Sequence, residues 1–173
     1  MPLIKAFRMD GLGNKFIIID RRKNSVNISK EKIIHLSGLK SLHRNIEFDQ
    51  MIFIEKEVNN AFPITIFNSD GGEISACGNG SRCVAYLLSK DLNNKEIKLK
   101  TNNRLLNAKV VGDSDVQLEM GQPVFDWNKI PIMNNVLLAS MIHVISRFVF
   151  RYSRFSFCPD SSIGCWADKT ITF

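Results

Sequence analysis

Histidine is scarce in this chain of 173 residues: there are three, alongside two tryptophans and two tyrosines. None of the three is placed by a recognisable pattern with a nucleophile, so a cysteine hydrolase would lack its base. Cysteine is nearly as scarce. Of the four, Cys77 and Cys83 have five residues between them and Cys158 and Cys165 have six. That is neither a disulfide framework nor the short knuckle of a structural zinc site. Long hydrophobic runs are also missing. The apolar segment 136–145 meets Arg147 well short of the ~20 residues a membrane span requires. Arg147, Arg151 and Arg154 would permit a short helix lying on a membrane surface, the weaker reading. The opening Met1-Pro2-Leu3-Ile4-Lys5 has no apolar signal-peptide core. Together these absences point to a reducing, cytoplasmic compartment with free thiols.

What the chain does contain is 45% hydrophobic and 23% charged residues, enough for one core or a core with a small appendage. The net charge is +6, but Arg21-Arg22-Lys23 is the only basic triple. Nothing concentrates the charge into a nucleic-acid-binding patch, and a small anionic substrate suits it equally well.

One stretch organises the rest. Residues 67–88 read Phe-Asn-Ser-Asp-Gly-Gly-Glu-Ile-Ser-Ala-Cys-Gly-Asn-Gly-Ser-Arg-Cys-Val-Ala-Tyr-Leu-Leu. An extended apolar run ends at the turn residues Asn68–Gly72. Cys77 and Gly78-Asn79-Gly80 then precede a helical rhythm at Cys83, Val84, Leu87 and Leu88. A thiol at a helix entry meets amides without internal partners and the positive end of the helix dipole, which favour its thiolate. The two glycines keep side chains away from where a carboxylate could meet those amides. Locally, the residues fit a reactive thiol with an anion cradle and a buried structural cysteine equally well.

Around this stretch the pattern is mostly short strands. Leu3–Met9 and Phe16–Asp20 predict a hairpin across Asp10–Asn14, with Gly11 and Gly13 free to take positive φ and Asn14 at its mouth. Ser29 is a candidate N-cap for a helix from Lys30 to about Ser37, whose apolar face is Ile33, Ile34 and Leu36. His35 and His43 read as surface or packing residues. Met51–Ile54 and Phe62–Phe67 are strands, and the Cys77 helix is expected to end near Asp91. Ile97–Thr101, Leu106–Val110 and Val116–Met120 alternate with period two, so each has one face in a core. The fold class is therefore α+β, with a helix packed on or wrapped by a largely antiparallel sheet. After Asn135 the pattern changes to an aromatic-rich, acid-poor segment without clean periodicity.

Three motifs, in order, resemble the diaminopimelate epimerase family. They are Phe7-Arg8-Met9-Asp10-Gly11-Leu12-Gly13-Asn14 with Phe16–Asp20, then Phe48-Asp49-Gln50, then Phe67–Gly71 through Ala76-Cys77-Gly78-Asn79-Gly80-Ser81-Arg82-Cys83. The likeness covers residues 1–135. It implies a curved, largely antiparallel sheet around a central helix, one of the family's two pseudo-symmetric domains. It also implies cofactor-independent epimerisation of LL- to meso-diaminopimelate, in lysine and peptidoglycan biosynthesis, by one cysteine on each face of the substrate. By that resemblance Cys77 is the catalytic acid/base of this domain. Asn14, Gln50 and Asn68 contact the substrate, and Gly78 and Asn79 bind its carboxylate. The expected partner is a small-molecule amino acid, the expected assembly a homodimer, and neither cofactor nor metal is required. Cys83 reads as packing and Arg82 as structural.

Two departures stand out. Lys15 occupies a position where the family usually has Asp, which bears on the charge around the Asn14 turn. The second-cysteine motif is absent, so residues 136–173 are read as an aberrant or irregular tail, not a second domain. The expectation is a truncated epimerase whose last stretch comes from a shifted frame or disrupted gene, with this chain carrying only the first-cysteine half. The alternatives are a catalytically inactive remnant or binding protein, and a related cofactor-independent racemase.

Overall fold

Phe16-Ile17-Ile18-Ile19 is apolar at every position, which suits a strand covered on both faces, and all four side chains are 2% exposed or less. The computed structural model describes residues 4–38, 47–113, 115–121 and 169–171. In chain order the elements are β1 (Ile4–Gly11), β2 (Asn14–Asp20), α1 (Lys30–Gly38), β3 (Gln50–Ile54), β4 (Phe62–Asn68) and β5 (Glu73–Ile74). They continue with α2 (Gly78–Leu92), β6 (Glu96–Lys100), β7 (Leu105–Val110), β8 (Val116–Leu118) and β9 (Lys169–Ile171). One sheet runs β8-β7-β6-β4-β3-β2-β1-β9, with β5 paired to β4. Only β2–β3 and β4–β6 pair in parallel; the other pairs are antiparallel. The sheet curls into a half-barrel whose two wings both pack on α2: β6, β7 and β8 on one side, β1, β2 and β3 on the other. This is the α+β, largely antiparallel sheet around a central helix that the strand periodicity predicts.

The two faces of the sheet follow the pleat. Phe16, Ile18, Ile52, Ile54, Ile64 and Ile66 belong to the core beneath α2, with Val84, Ala85 and Leu88 of that helix. Ile17, Ile19, Met51 and Phe53 point the other way and pack with Ile33 and Leu36 of α1. Ile34, expected on the apolar face of α1, is 44% exposed. The i, i+3 pair Ile33 and Leu36 is enough to cover a narrow strip of sheet. Ser29 caps this helix as expected, its Oγ accepting from Lys32 N at 3.3 Å. The enclosed α2 ends one residue past Asp91, where Asn93 takes a left-handed conformation (φ 49°) and donates its N–H to Ser89 O.

The first hairpin differs in detail from expectation. Gly11 and Asn14 are paired, leaving the two-residue loop Leu12-Gly13, and both loop residues have positive φ (51° and 85°), as a type I′ turn demands. Gly11 stays in the strand, and its lack of a side chain serves packing. A Cβ there would lie 3.1 Å from Cys83 Sγ and 3.3 Å from Phe16 Cε2. The edge strand β9 was not anticipated; it pairs Ile4 with Ile171. The remainder of the 136–173 segment lies outside the described residues, as do His43, Cys158 and Cys165. Among the described residues no helix is long and apolar enough to cross a membrane.

Arg22 ties the end of β2 to the last turn of α2. Its Nε and Nη2 donate to both oxygens of Asp20, at 2.9 and 2.7 Å, and Nη2 also reaches Asp91 Oδ2 at 2.7 Å. A carboxylate near a helix C-terminus opposes the dipole, and the guanidinium offsets it. Burial pushes the Asp20 carboxyl up, but the hydrogen bonds and charge of Arg22 outweigh it and hold the group below its ordinary value. The hydrogen bonds that Arg22 donates to Asp20 in turn hold the guanidinium above its own. A depressed carboxylate contributes stability above its unfolded pKa of about 4, and that contribution disappears as pH falls through the lower folded value. In urea titrations between pH 7 and pH 3, Arg22→Met should therefore lower stability at pH 7 and flatten the acid limb.

Gly71 yields a second test. Its φ is +75°, and a Cβ there would sit 2.5 Å from Lys30 Cγ and 3.1 Å from Lys30 O. Gly71→Ala should cost about 1–3 kcal/mol, read as a lower urea midpoint at unchanged m.

Candidate functional site

The pleat that sorts the core also selects the site. On β2, Asn14 has the parity of Phe16 and Ile18; on β3, Gln50 that of Ile52 and Ile54; on β4, Asn68 that of Ile64 and Ile66. All three amides therefore continue the α2 side of the sheet, one position beyond where the apolar side chains stop. Register aligns them: Phe16 pairs with Gln50, and Gln50 with Asn68. Because β2 and β3 are parallel and β4 antiparallel, two strand starts and one strand end meet at the same edge. There Gln50 Nε2 donates to Asn68 Oδ1 at 3.0 Å. Gln50 Oε1 is buried with no hydrogen-bond partner among the described residues, an acceptor held out of water.

Asp49 holds this edge together. Its Oδ2 accepts from Lys15 N at 2.7 Å, its own N–H donates to Lys15 O at 2.9 Å, and its carbonyl accepts from Ser69 N at 2.9 Å. A single residue, the one before Gln50, thus fixes the residue after Asn14 and the residue after Asn68. Lys15 has the parity of Ile17 and Ile19, on the face away from α2, and its Nζ pairs with Glu47 at 2.8 Å. The cation at this position is consequently turned away from the amide row.

From Asn68 the chain turns through Gly71 and Gly72, runs back along β4 as β5, and reaches Cys77. Cys77 is the N-cap of α2, in extended conformation (φ −145°, ψ 109°), and its Sγ accepts from Gly80 N at 3.4 Å. The sulfur occupies the place a capping oxygen would take. Gly78 and Asn79, ahead of Gly80, have no carbonyl within the helix to receive their N–H groups. A Cβ on Gly80 would come within 2.6 Å of Ile52 Cδ1 and 3.6 Å of Cys77 Sγ, so the backbone needs glycine to approach the sheet. Cys77 is half-buried, whereas Cys83 is fully buried in the core, which makes Cys83 the packing residue.

The structure joins the helix entry to the amide row: Asn79 Nδ2 donates to Asn14 Oδ1 at 2.9 Å. All six predicted site residues thus fall on two pieces, Asn14 and Asn79 with Cys77-Gly78, and Gln50 with Asn68, joined through the register of β2 and β3. Three neighbours of the site lie outside the substrate contacts that the resemblance names, and one of them, Arg82, reads from the sequence as structural. Asp49 sat inside a quoted motif whose signal was attributed to Gln50. Arg82 donates from Nη2 to Asn79 Oδ1. Met120 brings Sδ and Cε to 3.7 Å from where a Gly78 Cβ would be, its carbonyl held by Arg104 Nη1 at 2.6 Å. Burial pushes Arg82 below its ordinary value, against the opposing influence of Cys83 and Cys77.

Comparison with known proteins places this arrangement. The profile of the diaminopimelate epimerase family matches residues 6–126. A diaminopimelate epimerase of Pelagibacter ubique is 45% identical over 129 residues, covering 75% of this chain and 46% of the relative. One from Acidiphilium cryptum is 34% identical over 125 residues, covering 72% of this chain and 44% of the relative. The chain thus spans less than half the length of these relatives. Among solved structures, a phenazine biosynthesis protein of the PhzF family from Bacillus anthracis superposes with a TM-score of 0.50. It is 17% identical, covering 68% of this chain and 40% of the other. That likeness shows the fold alone.

The contrast between the two described cysteines is directly measurable. Iodoacetamide on the folded protein, followed by peptide mass spectrometry, should label Cys77 and spare Cys83, with Cys83 reacting only after denaturation.

Proposed function

The chain belongs to the diaminopimelate epimerase family, and from that premise we propose that residues 1–135 form the first-cysteine half of a cofactor-independent epimerase acting on LL- and meso-diaminopimelate. The observation that carries the reading is the Asn79–Asn14 hydrogen bond, which sets the Cys77 helix entry against the row of amides. In this proposal the free N–H groups of Gly78 and Asn79 receive the substrate's α-carboxylate. Gln50 Oε1, an unpartnered buried acceptor, receives its ammonium group. Asn14 and Asn68 complete the contact with neutral side chains that can donate or accept.

The chemistry then falls to Cys77. Its thiolate removes the α-proton: the Cα–H bond breaks, the proton goes to Sγ, and the electron pair stays on Cα, spread into the carboxylate held at the helix entry. Stabilising that carbanion with oriented amides is the electrostatic part of the catalysis. In the reverse direction the Cys77 thiol returns a proton from the same face. Inversion needs a second acid on the opposite face, which the family's second cysteine supplies and which is not assigned to any residue here. The same reading makes the chain a cytoplasmic protein that takes a small amino acid, binds no nucleic acid and associates as a homodimer.

Incubating the protein with LL- or meso-diaminopimelate in deuterated water tests the proposal. Deuterium should enter at the α-carbon, and Cys77→Ala should reduce the rate to the level of substrate alone. Absence of exchange in the unsubstituted protein would favour an inactive remnant or binding protein. Exchange with another amino acid in place of diaminopimelate would favour a related racemase.

A further inference from the structure

Arg82 is the fifth residue of α2, where a cation opposes the positive end of the dipole and a long side chain would ordinarily reach for solvent. It does neither. The side chain is half-buried and folds back along the helix, so that Nη1 lies 3.8 Å from where a Gly78 Cβ would be and Nη2 donates to Asn79 Oδ1. A guanidinium has only donors, so this contact decides which end of the Asn79 amide faces it. The oxygen turns to Arg82, and Nδ2 is left to donate to Asn14 Oδ1 at 2.9 Å. Reversing the amide would set NH2 against guanidinium on one side and oxygen against oxygen on the other. The chain Arg82–Asn79–Asn14 therefore runs in one direction only, from the helix across to the hairpin mouth.

We infer that Arg82 is a positioning residue for the Cys77 site, fixing the Asn79–Asn14 bridge and holding a positive charge at the helix entry next to the thiol. This deepens the proposed reaction and rests on Cys77 being its reactive group. The guanidinium offsets charge on a Cys77 thiolate, and through Asn79 it keeps the carboxylate-binding amides and the hairpin in register.

The pH dependence of Cys77 alkylation by iodoacetamide tests the inference without any substrate. Arg82→Gln keeps a donor toward Asn79 and loses the charge, and Arg82→Met keeps the apolar stem. In both, the alkylation profile should move to higher pH, with the rate at pH 7 falling about three- to tenfold. Arg82→Lys, which restores the charge, should return the profile most of the way. Lys90→Met, an exposed cation in the last turn of the same helix, should leave it unmoved. Thermal melts identify any variant that has failed to fold, and either neutral variant suffices. An unmoved profile in a folded Arg82→Gln or Arg82→Met protein, or an equal shift in Lys90→Met, would overturn the inference. If α-deuterium exchange is absent throughout while the alkylation profile shifts as stated, the proposed reaction fails and the role of Arg82 stands.

Discussion

The structure depends on how closely α2 approaches the sheet. A helix carrying Gly80, Ser81, Cys83, Val84, Ala85, Leu88 and Ser89 as buried positions is covered over most of its circumference, more than one flat sheet can achieve. The sheet has to curl, and its two wings meet the helix from different sides. Small residues set how tightly they close: Gly80 against Ile52, and Gly11 against Cys83 and Phe16. The first turn of α2 is drawn down to the level where the apolar side chains of β2, β3 and β4 end. Its unpaired amides and the Cys77 sulfur are thereby delivered to a fixed edge.

That edge is polar for a related reason. Beyond Phe16, Ile52 and Ile66 the next inward positions are Asn14, Gln50 and Asn68, and three strand ends have to be kept in register to bring them together. Asp49 accomplishes this with one carboxylate, one N–H and one carbonyl, bonded to Lys15 and Ser69 on the flanking strands. Its carboxylate is taken up by Lys15 N. The Lys15 side chain lies on the face away from α2 and is answered by Glu47. Lys15 therefore places its charge on the outer face of the half-barrel, away from the row Asn14, Gln50 and Asn68. A fixed anion in that row would oppose a thiolate at Cys77.

Much of this was legible in the residues because local chemistry and tertiary role agree. Gly78-Asn79-Gly80 after a turn announces a helix entry, and period-two alternation from Ile97 to Leu118 announces strands with one buried face. Where the two part company, the sequence misleads. Gly11 looked like a turn residue, yet positive φ fell to Leu12 because a two-residue hairpin loop requires it at both positions. Ile34 looked apolar enough for a core, but α1 needs only Ile33 and Leu36. Lys-Thr-Ile at 169–171 carries no signal of its own, and becomes a strand only because β1 offers an unpaired edge. Asp49 and Arg82 were hidden for the same reason: each acts through a contact with a residue far along the chain or on the next turn, and no local pattern encodes that.

The geometry of the described residues is one-sided, and that bears on the chemistry. Cys77, Gly78, Asn79, Asn14, Gln50 and Asn68 all belong to the inner wall of one half-barrel. A substrate carboxylate seated at the α2 entry would have its α-carbon approached by sulfur from this wall. Groups on one wall can remove a proton and return it to the same face, which exchanges hydrogen but leaves the centre unchanged. Inversion requires a proton donor across the substrate, outside the wall. Under the proposed reaction, the chemistry open to this wall alone is exchange of the α-hydrogen without inversion. The positioning inferred for Arg82 concerns that exchange, because Asn79, which it hydrogen-bonds, and Cys77 lie on the same wall.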